Sequence, residues 1–284
     1  NKQWEANFGG NDNDAMYPHN GGLKQTSDGG FILAGHSRSP ISGNKTKAGF
    51  GGDDFWLVKI DASGGKQWDQ VFGGSGMDGS PAVDATSDGG YIIGGISPSP
   101  VSGNKTAIGF GGDDGWLIKT DGNGNKQWEQ VFGGTGSDYL FSLRQVGDGG
   151  YLLGLFSTSG VSGNKTTPSF GGGDYWVIKI DGNGAKQWER AFGGSGGDGY
   201  RTAFKVTSDG GLILGTQSES GVSGNKTTPG FGQSDYWLVK LITIDGALDT
   251  DGDGHTDFQE FIAGTDPLNP ASALRITAIR EVGS

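Results

Sequence analysis

Short runs of five to seven residues rich in apolar side chains, separated by stretches rich in glycine, serine, asparagine and aspartate, recur through the first 240 positions. None carries the 3.6-residue period of an amphipathic helix. In one stretch the pattern predicts four strands, over 82–86, 91–96, 116–120 and 126–132. The first pair is joined by Ser-Asp-Gly-Gly and the last pair by Asp-Gly-Asn-Gly, turn sequences that supply the positive φ a tight hairpin needs. Gly94 and Gly95 interrupt the second run where a neighbouring element can approach closely.

The same four-run unit recurs. Asp-x-Trp clusters place tryptophans at Trp56, Trp116, Trp176 and Trp237, with spacings of 60, 60 and 61. A second series in KQW falls at Trp4, Trp68, Trp128 and Trp188, and SGNKT recurs from Ser42, Ser102, Ser162 and Ser223. Four antiparallel strands per repeat predict β-propeller blades. The expected fold is an all-β, four-bladed β-propeller over 1–244, with repeats near 9–72, 73–132, 133–192 and 193–241. The fourth copy has its third strand, 236–241, but no KQW strand after it, whereas residues 2–8 (KQWEANF) form such a strand with no blade before it. Residues 2–8 are therefore expected to complete the last blade and close the ring, removing two open sheet edges. Trp4 packed on the sheet that contains Trp237 is the signature of that closure. A fragment of a larger propeller, or an open array, is the rival arrangement.

Composition narrows the picture. Gly and Pro number 59 and 9 of 284 residues, close to a disordered composition, but 8 Trp, 15 Phe and 7 Tyr argue for a packed core. The formal charge of −11 and the absence of basic runs exclude a nucleic-acid partner. No apolar stretch is long enough for a membrane helix, so no membrane insertion is expected. The absence of cysteine excludes a disulfide scaffold or a thiol site. The chain opens at Asn1 without a signal peptide, as expected of a mature form or a fragment. An acidic, cysteine-free, Gly/Asn/Ser/Thr-rich chain fits a secreted bacterial protein.

Because connections alternate between strand ends, the two turns of each repeat share one face, and the SGNKT and FGG loops share the other. The SGNKT loop runs to about 15 residues, a length at which loops often carry function. Its Asn44, Lys45, Asn104, Lys105, Asn164, Lys165, Asn225 and Lys226 form the candidate binding face. The competing reading is that these side chains only tie the loop to backbone. Two aspartate series, Asp14, Asp78, Asp138, Asp198 and Asp54, Asp114, Asp174, Asp235, either ligate calcium or cap backbone N–H groups, and capping is the simpler reading. Asn-Lys-Thr also matches the glycosylation sequon, incidentally in a bacterial-looking chain. The one break in the repeat, 11–20, carries Asp14, Tyr17 and His19 and is the place for a unique site.

Residues 249–260, DTDGDGHTDFQE, satisfy the calcium-loop pattern D-x-D-x-D-G-x-x-D-x-x-E. Asp249, Asp251, Asp253, Asp257 and Glu260 supply carboxylates, His255 its backbone carbonyl, and Gly254 the sharp turn. This set of hard oxygen ligands suits Ca²⁺. The expected extension is a calcium loop and short helix over 245–272, followed by an orphan strand or the start of a further domain over 273–284.

The pattern KQWxxxFGGxGxD, TSDGGYIIxG and SGNKTxxxxGGxDYWLVKIDxxG over residues 1–241 resembles the glycine-rich 60-residue repeats of large secreted bacterial surface proteins. That resemblance implies β-propellers without an assigned catalytic activity. DTDGDGHTDFQEFIAGTDPLNPAS is similar to thrombospondin type 3-like calcium segments, and the resemblance adds Asp266 as a further ligand candidate.

His19, His36 and His255 sit in unlike contexts and form no metal triad, and no nucleophile-elbow, zincin or phosphate-loop motif is present. The expectation is a non-enzymatic extracellular structural or adhesion protein of the cell surface. Its partners would be other copies of itself or other surface proteins, with assembly into filaments or a lattice through the C-terminal strand. The alternative is a lectin-like carbohydrate- or protein-binding propeller with glycans as partners. The remaining one is a glycan-active enzyme, whose chemistry needs only two carboxylates.

Overall fold

The structure, a computed structural model, describes residues 1–16, 21–207 and 211–241. The chain forms two compact units, one of Asn1–Ala203 with Thr216–Trp237 and one of Phe204–Gly215 with Leu238–Ser284. Among the described residues the regular structure is entirely β, in four antiparallel sheets.

The second sheet shows the plan: β6 (Gly79–Ala85), β7 (Tyr91–Ser97), β8 (Asp114–Thr120) and β9 (Lys126–Phe132) pair in chain order. The third repeats it with β10 (Asp138–Gln145), β11 (Tyr151–Ser157), β12 (Asp174–Ile180) and β13 (Lys186–Phe192). The first has β3 (Phe31–Ser37), β4 (Asp54–Ile60) and β5 (Lys66–Phe72) in the same order. Its first strand is split into β1 (Asp14–Ala15) and β2 (Leu23–Gln25), both paired to β3, because the extra residues of 11–20 interrupt it. The last sheet holds β14 (Ala203–Val206), β15 (Leu212–Ser218) and β16 (Asp235–Leu241).

Register is conserved from sheet to sheet. Trp56 lies opposite Val71, Trp116 opposite Val131 and Trp176 opposite Ala191, and each pair of strands carries one bulge, before Ile60, Thr120 and Ile180. The expected hairpin corners are where the turn residues put them, with Gly89 at φ +82° and Gly124 at φ +79°.

Strands β4, β8 and β12 are buried along their whole length; the second sheet packs between the first and third, and on the first sheet Phe8, Phe31 and Leu33 pack with Trp56, Val58 and Ile60. Ile32, Phe55, Leu57 and Phe72 of the first sheet pack with Val83, Tyr91, Ile93, Trp116 and Ile118 of the second. Ile92, Leu117 and Phe132 of the second sheet pack with Leu140, Tyr151, Leu155, Trp176 and Ile178 of the third. The Phe55 and Trp116 rings meet at 5.3 Å, a contact of a kind that contributes about 0.5–1.5 kcal/mol beyond area burial.

The expected closure is not found. Residues 1–10 form no strand, and among the described residues no sheet closes on itself. Trp4 packs at 6.2 Å on Phe31 of the first sheet, as Trp68 does on Tyr91 (5.8 Å) and Trp128 on Tyr151 (6.0 Å). The N-terminal segment therefore makes the contacts that a fourth strand makes with the following repeat, without pairing to a sheet of its own. The calcium loop 249–260, the rest of 245–272 and the strand expected over 273–284 lie outside the described residues.

Candidate functional site

The long loop of each of the last three repeats is fastened to the end of the preceding sheet, and that of the first repeat to the N-terminal segment. Asn104 accepts the Gly73 N–H at Oδ1 (2.9 Å) and donates its amide to the Val71 carbonyl (2.8 Å). Its own N–H goes to the Gly73 carbonyl at 3.1 Å. Ser102 Oγ and Ser99 Oγ accept the Ser75 and Gly76 N–H groups. The same amide bridge joins Asn44 to Gly9 and Asn7, Asn164 to Gly133 and Val131, and Asn225 to Gly193 and Ala191. Gly103 must be glycine here: its φ is +59°, and a Cβ would lie 2.4 Å from the Gly73 carbonyl.

Beneath each asparagine the lysine is interior. Lys45, Lys105, Lys165 and Lys226 are no more than 3% exposed. Lys105 Nζ donates to Ser97 Oγ and the Ser99 carbonyl, both at 2.7 Å, and lies 5.6 Å from the Trp116 ring centroid. Lys165 reaches the Ser159 and Thr167 carbonyls, Lys45 the Ser39 carbonyl and Lys226 the Thr228 carbonyl. Burial pushes the Lys45, Lys105 and Lys165 ammonium groups below their ordinary pKa, against the pull of nearby carboxylates. Of the binding face expected from Asn44, Lys45, Asn104, Lys105, Asn164, Lys165, Asn225 and Lys226, the lysines are buried, whereas Asn44, Asn104 and Asn164 are half-buried and Asn225 is exposed. The lysines spend donors on protein oxygens because a buried ammonium must be satisfied where it sits, and the asparagine amides bond to backbone beside them.

Both aspartate series cap. Asp78 Oδ2 accepts the Gly74 N–H (2.7 Å) and Ser99 Oγ–H (2.8 Å), and Asp14, Asp138 and Asp198 repeat the pair. Asp54, Asp114, Asp174 and Asp235 accept the N–H of Phe50, Phe110, Phe170 and Phe231 at 2.7–2.8 Å. The first glycine of FGG makes room for that carboxylate: a Cβ on Gly73 would lie 1.6 Å from Asp54 Oδ1, and one on Gly133 1.8 Å from Asp114 Oδ1. The break at 11–20 leaves Asp14 in its ordinary capping place, while Tyr17 and His19 lie outside the described residues.

At the opposite ends of the strands, Lys59, Lys119 and Lys179 clamp the turn carboxylates of Asp28, Asp88 and Asp148 at 2.7–2.8 Å. Each of these lysines also donates to a carbonyl of its own strand end. The clamp holds Asp28 and Asp88 well below the usual carboxylate range, Asp88 at about 2.

The loops also present apolar side chains, beside the exposed Thr46, Thr106, Thr166 and Thr227. Ile41, Val101, Val161 and Val222, each immediately before SGNKT, are 63, 54, 66 and 65% exposed. Phe50, Phe110 and Phe231, further along the same loops, are also exposed. Isolated exposed aliphatics need no explanation, but one at the same place in every copy does. The signal was in the sequence, as a β-branched residue in a Gly/Ser/Asn-rich loop in all four repeats.

Among the described residues no three His, Asp or Glu side chains converge as a metal site. The donors of 249–260, five carboxylates and one backbone carbonyl, are oxygen ligands of the kind Ca²⁺ takes.

Residues 249–270 match the family model described as the bacterial TSP3 repeat. This is a calcium-binding type of repeat that occurs in extracellular proteins, and the match supports an extracellular, calcium-binding bacterial chain. No curated protein matches the chain. Among solved structures, a member of the DUF4221 family from Bacteroides vulgatus is similar at 10% identity and a TM-score of 0.25, over 66% of this chain and 75% of that one. A likeness at that level carries no argument about fold or function.

Proposed function

We propose that the chain is a non-enzymatic structural and adhesive module of a secreted bacterial surface protein, its sheets being blades of the propeller class and its C-terminal extension a Ca²⁺ site at 249–260. The observation that carries this reading is the fastening of every SGNKT loop to the chain segment before it, a preceding sheet in three of the four copies. Loops long enough to hold a ligand instead spend their asparagines, serines and lysines on joining sheets. An exposed aliphatic side chain recurs in every loop, which suits contact with another protein surface. Calcium at the extension would be held by Asp249, Asp251, Asp253, Asp257 and Glu260, with the His255 carbonyl, and would stiffen the chain as it leaves the repeats.

The test replaces Ile41, Val101, Val161 and Val222 together by serine and measures retention of the chain on bacterial cell-surface protein by surface plasmon resonance. These side chains are exposed, so the fold is expected to survive the change. Loss of retention with an unchanged unfolding midpoint supports the reading. Unchanged retention, or sugar-specific capture on a glycan array, overturns it, the latter in favour of the lectin-like alternative.

A further inference from the structure

We propose that the last sheet of one copy takes up the N-terminal segment and first sheet of a second copy, joining copies head to tail. The proposal rests on reading the chain as a surface building block and names the partner of that block.

The acceptor is the outer edge of β16, at Tyr236 and Leu238. Among the described residues no strand lies beyond it, although β4, β8 and β12 each have a fourth strand there. Tyr236 is 99% exposed and Leu238 66%, at positions buried in all three other sheets. An open edge with exposed apolar side chains is a template for strand addition.

The donor is residues 2–8. Their sequence, KQWEANF, matches the fourth strands KQWDQVF, KQWEQVF and KQWERAF. In the structure they are unpaired and largely exposed, with Trp4 and Asn7 already placed on the first sheet as a fourth strand would place them. The register of the other sheets transposes directly. It sets Phe8 opposite Tyr236, Asn7 opposite Trp237, Ala6 opposite Leu238, Glu5 opposite Val239 and Trp4 opposite Lys240, as in Phe72↔Phe55 to Trp68↔Lys59. Glu5 then takes the place of Asp69 and Glu129, whose carboxylates accept the indole N–H of Trp56 (3.1 Å) and Trp116 (2.8 Å).

The faces fit by size as well. Between the first and second sheets, the Phe55 ring lies against Gly95, where a Cβ would be 2.8 Å from it. Between the second and third sheets the sizes reverse, and Gly115 receives Leu155. In the same series Tyr236 corresponds to Phe55 and Gly35 to Gly95. Gly35 lines a cavity of about 260 Å³ on the outer face of the first sheet, with Phe8, Met16, Leu33 and Trp56. The Tyr236 ring of the preceding copy fills that cavity. Because donor and acceptor are different surfaces, such a contact extends into a filament unless rotation closes it.

The chain has no cysteine, so Ala6→Cys and Leu238→Cys introduce the only thiols, both at exposed positions. Oxidation of the double variant is expected to give a ladder of multiples on non-reducing electrophoresis. Sedimentation should show a mean mass that rises severalfold with concentration for the parent chain and stays monomeric for Tyr236→Asp. A cross-linked band confined to the monomer would overturn the proposal, because it would show that residues 2–8 close on their own last sheet. A monomer at all concentrations with no cross-link above that of single-cysteine controls would also overturn it. Neither result touches the loop-tip residues, so the adhesive reading would stand or fall separately.

Discussion

Raising the pH through the mildly acidic range is expected to weaken the contacts between sheets. Burial pushes the Asp54 carboxyl up, the Phe50 N–H pulls it partly back, and the neighbouring Asp78 carboxylate pushes it up again, to about 6. Asp114, with Phe110 and Asp138 in the same places, also stands at about 6, and burial raises Asp174 as well. In all three, Oδ1 is buried without a hydrogen-bond partner, so the ionised form has an oxygen the fold does not solvate. The unfolded carboxyl titrates near 3.8. The folded state therefore binds more protons between about pH 4 and 6, and stability falls as pH rises through that window. Two pH units at 1.36 kcal/mol each give up to about 3 kcal/mol for each of Asp54 and Asp114. His36 opposes the trend, since burial lowers its pKa and protonating it costs stability as pH falls below about 6.5.

Single substitutions separate these effects. Asp54→Asn keeps an acceptor for the Phe50 N–H and cannot ionise. Urea unfolding followed by tryptophan fluorescence from pH 4.5 to 8, in EDTA to keep the acidic calcium loop metal-free throughout, reads the difference. The parent midpoint is expected to fall between pH 4.5 and 6 and then level off. The variant should lose part of that slope and exceed the parent at pH 7. An unchanged slope, or equal destabilisation at pH 4.5 and 7, would refute the reasoning.

Three further outcomes follow from the same geometry. Asn104→Ala strands the Gly73 N–H and the Val71 carbonyl and is expected to cost about 2 kcal/mol in the urea midpoint; a parent-like midpoint would show that the loop is not a fastener. Asp88→Asn should flatten the acid limb of unfolding. The Lys119 clamp holds that carboxyl at about 2, so its stabilisation is present above about pH 4 and lost as pH falls through 2, which circular dichroism during acid titration will show. Asp249→Ala and Glu260→Ala should each abolish calorimetric Ca²⁺ binding, and binding that survives both would place the ion elsewhere.

The repeat unit was legible because its turns are chemically specific. Asp-Gly-Gly and Asp-Gly-Asn-Gly set hairpin corners, and the fourth strand of the second repeat falls on the expected 126–132. The function of the SGNKT loops was not legible, for a physical reason. Near-identity in four copies is equally required of a multivalent binding face and of a joint made four times, and the letters Asn and Lys serve both. The residues around them hold the distinction: Gly73 has no room for a Cβ beside Asp54, and Ser97 and Ser99 offer oxygens to Lys105. The Asn104 joint to Gly73 and Val71 spans 31 and 33 positions of the chain, so only folding brings those partners together. Closure failed for the related reason that matching sequences show which strands can pair, not which molecule supplies them. Residues 2–8 carry a strand's chemistry and β16 an edge to receive it, and the sequence is the same whether the two ends meet within one chain or between two. A covalent register probe at Ala6 and Leu238 reads that remaining difference, since it reports the mass of whatever the strand has joined.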